Sequence, residues 1–166
     1  MVYTDAKTAE RVLEIRDGFN LKDKTVVQIV DDVFSLDQDI YNGYCKALSH
    51  PEAVNFRISK DNPEAYSANY NYLVYLKPYF VVDAVRQGLA KGNVAWFDFG
   101  FNHGGKDYQN SEEFSFTWFD STWEKITCYA VAPLDDMPVF EVIRRLENYL
   151  TGSIICAPEN MRADLA

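Results

Sequence analysis

The sequence predicts an α/β fold in which helices flank a mixed sheet. Segments with helical periodicity alternate with short apolar or β-branched runs that predict strands, at 24–30, 94–98, 127–131 and 153–157. Residues 114–118 alternate between apolar and polar side chains, and this segment could pair with 127–131 as antiparallel β structure. Because the chain has 166 residues and no internal repeat, we expect one domain over 1–166.

The first predicted elements are a helix and a strand. Thr4 and Asp5 are N-cap residue types ahead of apolar positions with helical spacing, and Gly18 is expected to end that helix. The chain is therefore expected to open almost directly into a helix. The short β-branched run 24–30 predicts a strand, and Asp31-Asp32 follow it as the chain leaves the sheet. Acidic pairs at the ends of elements are usually solvated.

Two further helices are predicted between residues 36 and 91. Residues 36–48 have apolar positions four apart, and His50-Pro51 is expected to end this helix. Segment 51–65 has weak periodicity and contains prolines, so it is predicted to be a loop. The helical signal returns over 66–91, with an apolar face made by Leu73, Leu76, Phe80, Ala84 and Leu89.

The last part of the chain predicts more strands than helices. Strand 94–98 is followed by a Gly-rich loop at 100–110, and then by the two β segments that could pair. Residues 137–149 predict a helix, and 153–157 predict the last strand. The inward residues of this helix are expected to be Val139, Ile143 and Leu146.

Composition excludes some classes of function. The formal net charge is −9, from 25 acidic and 16 basic residues, and such a field repels polyanions, so we expect no binding to nucleic acid. A small phosphate-bearing molecule stays possible, because a helix N-terminus and one or two cations can bind it locally. Aromatic residues make up 15% of the chain, enough for a packed core or a cleft in which rings stack.

Cysteine spacing and hydropathy predict the compartment. Cys45, Cys128 and Cys156 lie far apart, without a CxxC motif or histidine spacing that would suggest zinc, so they are expected to be free thiols. The N-terminus lacks the pattern of a targeting signal, and no apolar run is long enough to span a membrane. We therefore expect a cytoplasmic protein without a transmembrane segment.

Asp98 is the first candidate for chemistry, because it ends the buried strand 94–98. Ligand crevices of open α/β sheets lie beyond the carboxyl ends of strands. One interpretation is a strand-end aspartate that accepts hydrogen bonds from the turn amides of 99–101. The other is a ligand for a divalent cation or a sugar hydroxyl. A carboxylate between Phe97 and Phe99 is costly to bury without a partner, so the nature of that partner decides between the two.

Lys77 is the second candidate, and two geometries are open for it. On a continuous helix it would lie near Leu73, Val81 and Ala84 and point toward the sheet. Alternatively, Pro78 starts a helix and places Lys77 at its N-terminus, which is itself an anion site. Either geometry suits a phosphate or carboxylate partner, although a lysine that extends from the edge of a core is the commoner arrangement.

His103 is the third candidate, as a possible acid/base or ligand group in the loop after Gly100. A lone loop histidine is more often solvated. His50, next to a proline, has no catalytic partner in its sequence neighbourhood. The sequence contains no P-loop, GxGxxG, GxSxG or HExxH motif.

Four segments together resemble the bacterial HtrL/YibB family, which is associated with lipopolysaccharide and capsule gene clusters. Its most specific part is the string Trp-Phe-Asp-Phe-Gly at 96–100. The other matching segments are 72–81, 138–144 and 152–155. The resemblance covers most of the chain, and family members extend before the segment matching Met1 to Asp5 and beyond Ala166. It therefore implies a shortened member or a fragment.

This resemblance implies an A-type nucleotide-sugar glycosyltransferase fold and a site within it. In such folds a helix carrying a lysine precedes a strand that ends in an Asp-x-Asp metal motif. Asp98 would be the first Asp of the motif, a ligand for Mn²⁺ or Mg²⁺, and Lys77 would face the phosphates of the donor. Gly100 stands in place of the second Asp, and hard cations favour several oxygen ligands, so metal binding is expected to be weak.

Three functions follow from these expectations. The first is a glycosyltransferase-like protein of surface polysaccharide synthesis, with a nucleotide-sugar donor, a saccharide acceptor, and Asp98, His103 and Lys77 in its site. The second is a non-catalytic binding or assembly module that keeps part of the fold. The third is a carbohydrate-binding protein in which Trp96, Trp118 or Trp123 stacks on sugar rings.

Overall fold

The computed structural model describes residues 1–101 and 123–160 as two compact units. The first unit comprises Met1–Ala90 and Met137–Glu147, and the second comprises the described parts of 91–136 and 148–166. Helices and small sheets alternate along the chain, so the predicted α/β class is confirmed. The predicted mixed sheet is not found within the described ranges, where parallel and antiparallel pairing occur in two separate sheets. The single domain over 1–166 stays a prediction.

The first unit opens with a β-α-β arrangement. Strand β1 (Val2–Thr4) and strand β2 (Val27–Ile29) pair in parallel and are joined by helix α1 (Ala6–Gly18). The chain enters this helix almost directly, as predicted, but a short strand that was not predicted comes before it. Strand β1 has only three residues, too few for a periodicity signal, and its partner lies 25 positions away.

The ends of α1 have a local cause. The Asp5 side chain accepts the Thr8 amide at 2.8 Å, so the predicted N-cap is confirmed. Hydrogen bonds from Thr8 also lower the pKa of Asp5. At the other end Asn20, with φ of 55°, is the left-handed residue, whereas Gly18 is still helical. The helix therefore ends at Gly18, as predicted, and the chain turns at Asn20 because asparagine tolerates the left-handed conformation.

Three helices follow β2. Helix α2 (Gln38–Ser49) is capped by Asp37, whose side chain accepts the Ile40 amide, and the helix lies close to the predicted span. The predicted loop at 51–65 is wrong, because it contains helices α3 (Pro51–Phe56) and α4 (Pro63–Tyr66). Both helices begin at a proline. Its missing N–H costs nothing at the first helical position, so these prolines start helices rather than prevent them.

Helix α5 (Ala68–Arg86) supplies most of the core of the first unit. It is shorter than predicted because Gly88, with φ of 72°, ends it in a Schellman motif, in which the Leu89 amide donates to the Ala84 carbonyl at 3.0 Å. Leu73 and Leu89 are exposed, contrary to the predicted apolar face. The buried residues of the helix are Tyr72, Leu76, Phe80, Val81, Val82 and Ala84.

Helix α6 (Val139–Arg145) also belongs to the first unit. Segment 57–59 binds its C-terminal carbonyls: the Ile58 amide donates to Arg144 at 2.9 Å, and the Ser59 hydroxyl donates to Arg145 at 2.7 Å. The helix stops well before the predicted residue 149. The predicted inward side of this helix is also wrong, since Val139 is 73% exposed and Ile143 46% exposed.

The second unit contains a three-stranded antiparallel sheet. Strand β5 (Leu150–Ala157) lies between β3 (Val94–Phe97) and β4 (Thr127–Ala130). It begins three residues before the predicted strand, because Thr151 and Leu150 continue the pairing with β4 beyond an irregularity in register. The predicted β segment 114–118 lies outside the described residues. No helix in the described ranges is long and apolar enough to cross a bilayer.

Candidate functional site

A cleft of about 350 Å³ lies in the first unit at the carboxyl ends of β1 and β2. Its walls come from the two strands, from residues 30–36 that follow β2, and from one side of α5. Binding crevices of parallel α/β structures occur at this edge, because strands end there and the following loops can present side chains and backbone groups. The cleft is therefore the candidate site of the first unit.

Two of its carboxylates follow β2 directly. The Oδ1 atom of Asp31 accepts the Ala6 amide at 3.3 Å, and Oδ1 of Asp32 accepts the Phe34 amide at 3.1 Å. Each aspartate is thus oriented by a backbone donor through one oxygen. Both residues are exposed, as predicted for an acidic pair, but the loop places both of them on the wall of the cleft.

A third carboxylate, Asp83, reaches the cleft from α5. Its Oδ2 atom accepts the Tyr3 hydroxyl at 2.7 Å and the Gln87 amide at 2.6 Å. The Tyr3 hydroxyl also lies 3.0 Å from the carbonyl oxygen of Phe80. Burial, together with this hydrogen bond, raises the pKa of Tyr3 well above its usual range. Tyr3 therefore stays protonated and joins the first strand to the helix.

Amide and aromatic side chains complete the lining. Gln28 on β2 and Gln87 on α5 also line the cleft, and a carboxamide can both donate and accept hydrogen bonds. Tyr79 is a further lining residue and is 37% exposed. No lysine or arginine is among the residues of the described chain that line this cleft. The residues that line the cleft therefore supply carboxylates, carboxamides and aromatic rings, and the charge of this lining is negative.

Asp98 lies in the second unit, directly after β3, so its predicted position at the end of a strand is confirmed. Its amide donates to the Ser153 carbonyl at 2.8 Å and extends the pairing with β5. Its Oδ1 atom accepts the Trp96 indole N–H at 2.5 Å. The turn amide of Phe101 donates to the backbone carbonyl of Asp98 at 3.1 Å. The carboxylate thus has a hydrogen-bond donor on its own strand, two residues earlier.

Lys77 lies in the first unit, in the middle of α5. Because the helix continues through Pro78, the alternative that placed Lys77 at a helix N-terminus is wrong. The helix is continuous, as the other alternative assumed, and Lys77 is half-buried on it, four residues before buried Val81; a side chain pointing toward the sheet stays a prediction. It is not among the residues that line the cleft. His103 lies outside the described residues.

The predicted site residues are distributed over both units. Asp98 and Lys77 belong to different units, and each is described within its own. In the described ranges no group of three or more His, Cys, Asp or Glu side chains could hold a metal ion. The three cysteines are free thiols, as predicted.

Sequence reasoning missed the cleft. Its signal was present in part, since Asp31 and Asp32 follow a β-branched strand, the position where α/β proteins place ligand-binding side chains. Tyr3, Asp83 and Gln87 carry no such local signal. They meet only because β1 pairs with β2 and α5 packs beside them.

Comparison with known proteins gives a family and no further relative. No curated protein and no solved structure matches the chain. One family model, described as a bacterial protein of unknown function (HtrL_YibB), matches residues 1–165. That match covers essentially the whole sequence, and the resemblance found in the Trp-Phe-Asp-Phe-Gly string is confirmed by it. The chain belongs to the HtrL/YibB family.

Proposed function

We propose that this protein is glycosyltransferase-like and acts in the synthesis of bacterial lipopolysaccharide or capsule, transferring a sugar from a nucleotide-sugar donor to a saccharide acceptor. The observation that carries the proposal is the cleft at the carboxyl ends of β1 and β2, with Asp31 and Asp32 directly after the second strand. Nucleotide-binding α/β proteins use this edge, and an acidic residue near the end of the second strand binds ribose hydroxyls in one such fold.

The finer part of the proposal is an A-type transferase fold with Asp98, His103 and Lys77 in its site. Departure of a nucleoside diphosphate leaves negative charge that the protein must stabilise. We assign this role to Lys77, a half-buried cation on α5. Other residues of the same helix line the cleft. His103 is proposed as the acid/base group that accepts a proton from the acceptor hydroxyl.

A divalent cation such as Mn²⁺ or Mg²⁺ fits the described residues poorly as a tightly held cofactor. Hard cations take six or more oxygen ligands, and Asp98 supplies one carboxylate that already accepts the Trp96 indole. Gly100 adds no side-chain ligand. The transfer step proposed here therefore relies on Lys77 for charge stabilisation and not on a resident metal.

The first test is a thermal-shift screen against UDP-, GDP-, ADP- and CMP-sugars with and without Mn²⁺. A ligand that binds only the native state stabilises it by about 2.7 kcal/mol at a concentration of 100 times its dissociation constant. We expect one nucleotide class to stabilise the protein, and that donor to be consumed when saccharide acceptors are added. A cooperatively melting protein that no donor stabilises, and that turns none over, would contradict the proposal.

Variants then test the assigned residues. Lys77→Gln is expected to weaken donor binding at least tenfold, and Lys46→Gln, an exposed lysine on α2, is its matched control. Asp98→Asn keeps an oxygen that can accept the Trp96 indole, so the fold should survive while transfer falls. Asp136→Asn, an exposed aspartate of the same unit, controls for the loss of charge. Unchanged turnover in Asp98→Asn would exclude a role for this carboxylate in transfer.

A second candidate is the non-catalytic binding or assembly module. The observation that favours it is the hydrogen bond from Trp96 to Asp98, which gives the carboxylate a structural role within its own strand. This candidate predicts that Trp96→Phe destabilises the second unit and that no nucleotide-sugar is consumed by the unmodified protein. Detection of a transfer product would exclude it.

A further inference from the structure

The charge of the cleft is the first guide to its ligand. Asp31, Asp32 and Asp83 line it, and the described lining contains no cationic side chain to balance them. Unbalanced carboxylates raise the cost of bringing a phosphate or carboxylate close to them. The part of a substrate that enters this cleft is therefore uncharged or positively charged, and the diphosphate of a donor lies elsewhere.

The hydrogen-bonding capacity of the cleft narrows the class of ligand further. Asp31 and Asp32 each use one carboxylate oxygen to accept a backbone amide, and the described part of the chain provides no hydrogen bond to their Oδ2 atoms. The same holds for Oδ1 of Asp83, whose other oxygen accepts Tyr3 and Gln87. Three carboxylate oxygens on one cleft can thus accept hydrogen bonds from a ligand.

The amides distinguish a hydroxyl-bearing ligand from an ammonium ion. The Gln28 carboxamide has no hydrogen-bond partner in the described ranges, and the Gln87 amide nitrogen uses one of its two hydrogens on Asp83. An ammonium group only donates, so it would leave these amide donors unused, whereas a hydroxyl both donates and accepts. Tyr79, a further lining residue that is 37% exposed, has an aromatic ring on which an apolar face of a ligand can pack.

We propose that this cleft binds adjacent hydroxyl groups of a neutral sugar ring. Asp31 and Asp32 accept hydrogen bonds from the ring hydroxyls, the amides of Gln28 and Gln87 donate to them, and Tyr79 packs against the ring. The identity of the sugar rests on the proposed transferase function. In that reaction the ring is either the ribose of the donor nucleotide or part of the saccharide acceptor. The binding chemistry is the same for both sources.

The test is a titration of the full chain, followed by NMR or calorimetry, with probes that carry no phosphate. Uridine, cytidine, adenosine and guanosine represent ribose, and their 2′,3′-dideoxy analogues lack the adjacent hydroxyls. Glucose, galactose and short neutral oligosaccharides represent the acceptor. Inorganic pyrophosphate and spermidine represent an anion and a polycation. We expect binding by one neutral class, at least a tenfold loss with its deoxy analogue, and no competition by pyrophosphate.

Variants locate the binding in the cleft. Asp31→Asn and Asp32→Asn keep an oxygen for the Ala6 and Phe34 amides but lose the carboxylate, so the fold should hold while the dissociation constant rises at least tenfold. Asp39→Asn, an exposed aspartate of α2 that does not line the cleft, should change it less than twofold. Melting curves of all three variants confirm that they are folded.

The outcomes separate this inference from the proposed function. Nucleosides bound in preference to saccharides identify ribose as the ring, and the reverse identifies the acceptor; either result supports the inference. Spermidine bound in place of neutral sugars, binding unaffected in Asp31→Asn and Asp32→Asn, or no neutral sugar bound at all would overturn it.

If neutral sugars bind as expected and no nucleotide-sugar is consumed, the transferase proposal fails and the sugar site stands. If transfer occurs in Asp31→Asn with unchanged kinetics, the transferase stands and the site assignment fails.

Discussion

Tyr3→Phe isolates the hydrogen bond that joins β1 to α5 at the cleft. The change removes only the hydroxyl, which donates to Asp83 at 2.7 Å and lies 3.0 Å from the Phe80 carbonyl oxygen. The ring stays stacked on Phe80, with centroids 4.3 Å apart. Hydrogen bonds to a charged partner contribute about 1.5–3 kcal/mol to stability, so we expect a loss of about 2 kcal/mol. In a chain of this size that lowers Tm by about 4–8 °C.

The pH dependence of the same variant has a defined sign. Burial and the hydrogen bond to Asp83 raise the pKa of Tyr3 in the folded protein, whereas an unfolded tyrosine ionises near pH 10. A raised folded pKa means that the contribution of Tyr3 is fully present below about pH 10 and is lost as the pH rises above it. The difference in Tm between the unmodified protein and Tyr3→Phe should therefore shrink at alkaline pH.

Thermal denaturation followed by circular dichroism measures both effects. Tyr79→Phe is the matched control, because it removes the same atom from a neighbouring tyrosine whose hydroxyl makes no hydrogen bond in the described ranges, and its effect should stay within about 0.5 kcal/mol. Equal melting temperatures of Tyr3→Phe and Tyr79→Phe at pH 8 would refute the structural role of the Tyr3 hydroxyl.

Two further predictions concern the core and the thiols. Leu76 is 0% exposed, so Leu76→Ala should lower the free energy of unfolding by about 2–5 kcal/mol, measured by urea denaturation. Leu73 is 43% exposed on the same helix, so Leu73→Ala should lower it by less than about 1 kcal/mol. Equal losses in the two variants would contradict the packing of α5. Iodoacetamide at pH 8, followed by mass spectrometry, should label exposed Cys45 first, since burial raises the pKa of Cys156 to about 11; labelling of both at one rate in folded protein would contradict the burial of Cys156.

Several predictions that depended on neighbouring residues succeeded, and one failed. The Asp5 cap involves the amide three residues later, and a residue type with a short polar side chain at that position is sufficient to predict it. The apolar run that ends at Asp98 predicted both strand β3 and the carboxylate after it. Pro51 and Pro63 were misread because proline both ends and begins helices, and only the following residues distinguish the two cases.

Most predictions that depended on distant neighbours failed. Val139 and Ile143 have the spacing of an inward helix face, yet periodicity defines only which residues share a face, not whether another element covers it. Strand β1 was missed because three residues make no pattern, and their hydrogen bonds come from β2. Lys77 was correctly expected next to buried residues, but its separation from the cleft lining could not be derived from helix geometry alone.

The sequence by itself determined the α/β class, the principal helix α5, the strand that ends at Asp98, the free thiols and membership of the HtrL/YibB family, because these are properties of local runs and composition. Tertiary structure alone decided that Tyr3, Asp31, Asp32, Asp83 and Gln87 share one cleft. The hydroxyl of Tyr3 and the carboxylate of Asp83 are 80 residues apart in the chain and 2.7 Å apart in space. Pairing of β1 with β2 and packing of α5 beside them bring these groups together, and neither contact has a signature within a short segment of sequence.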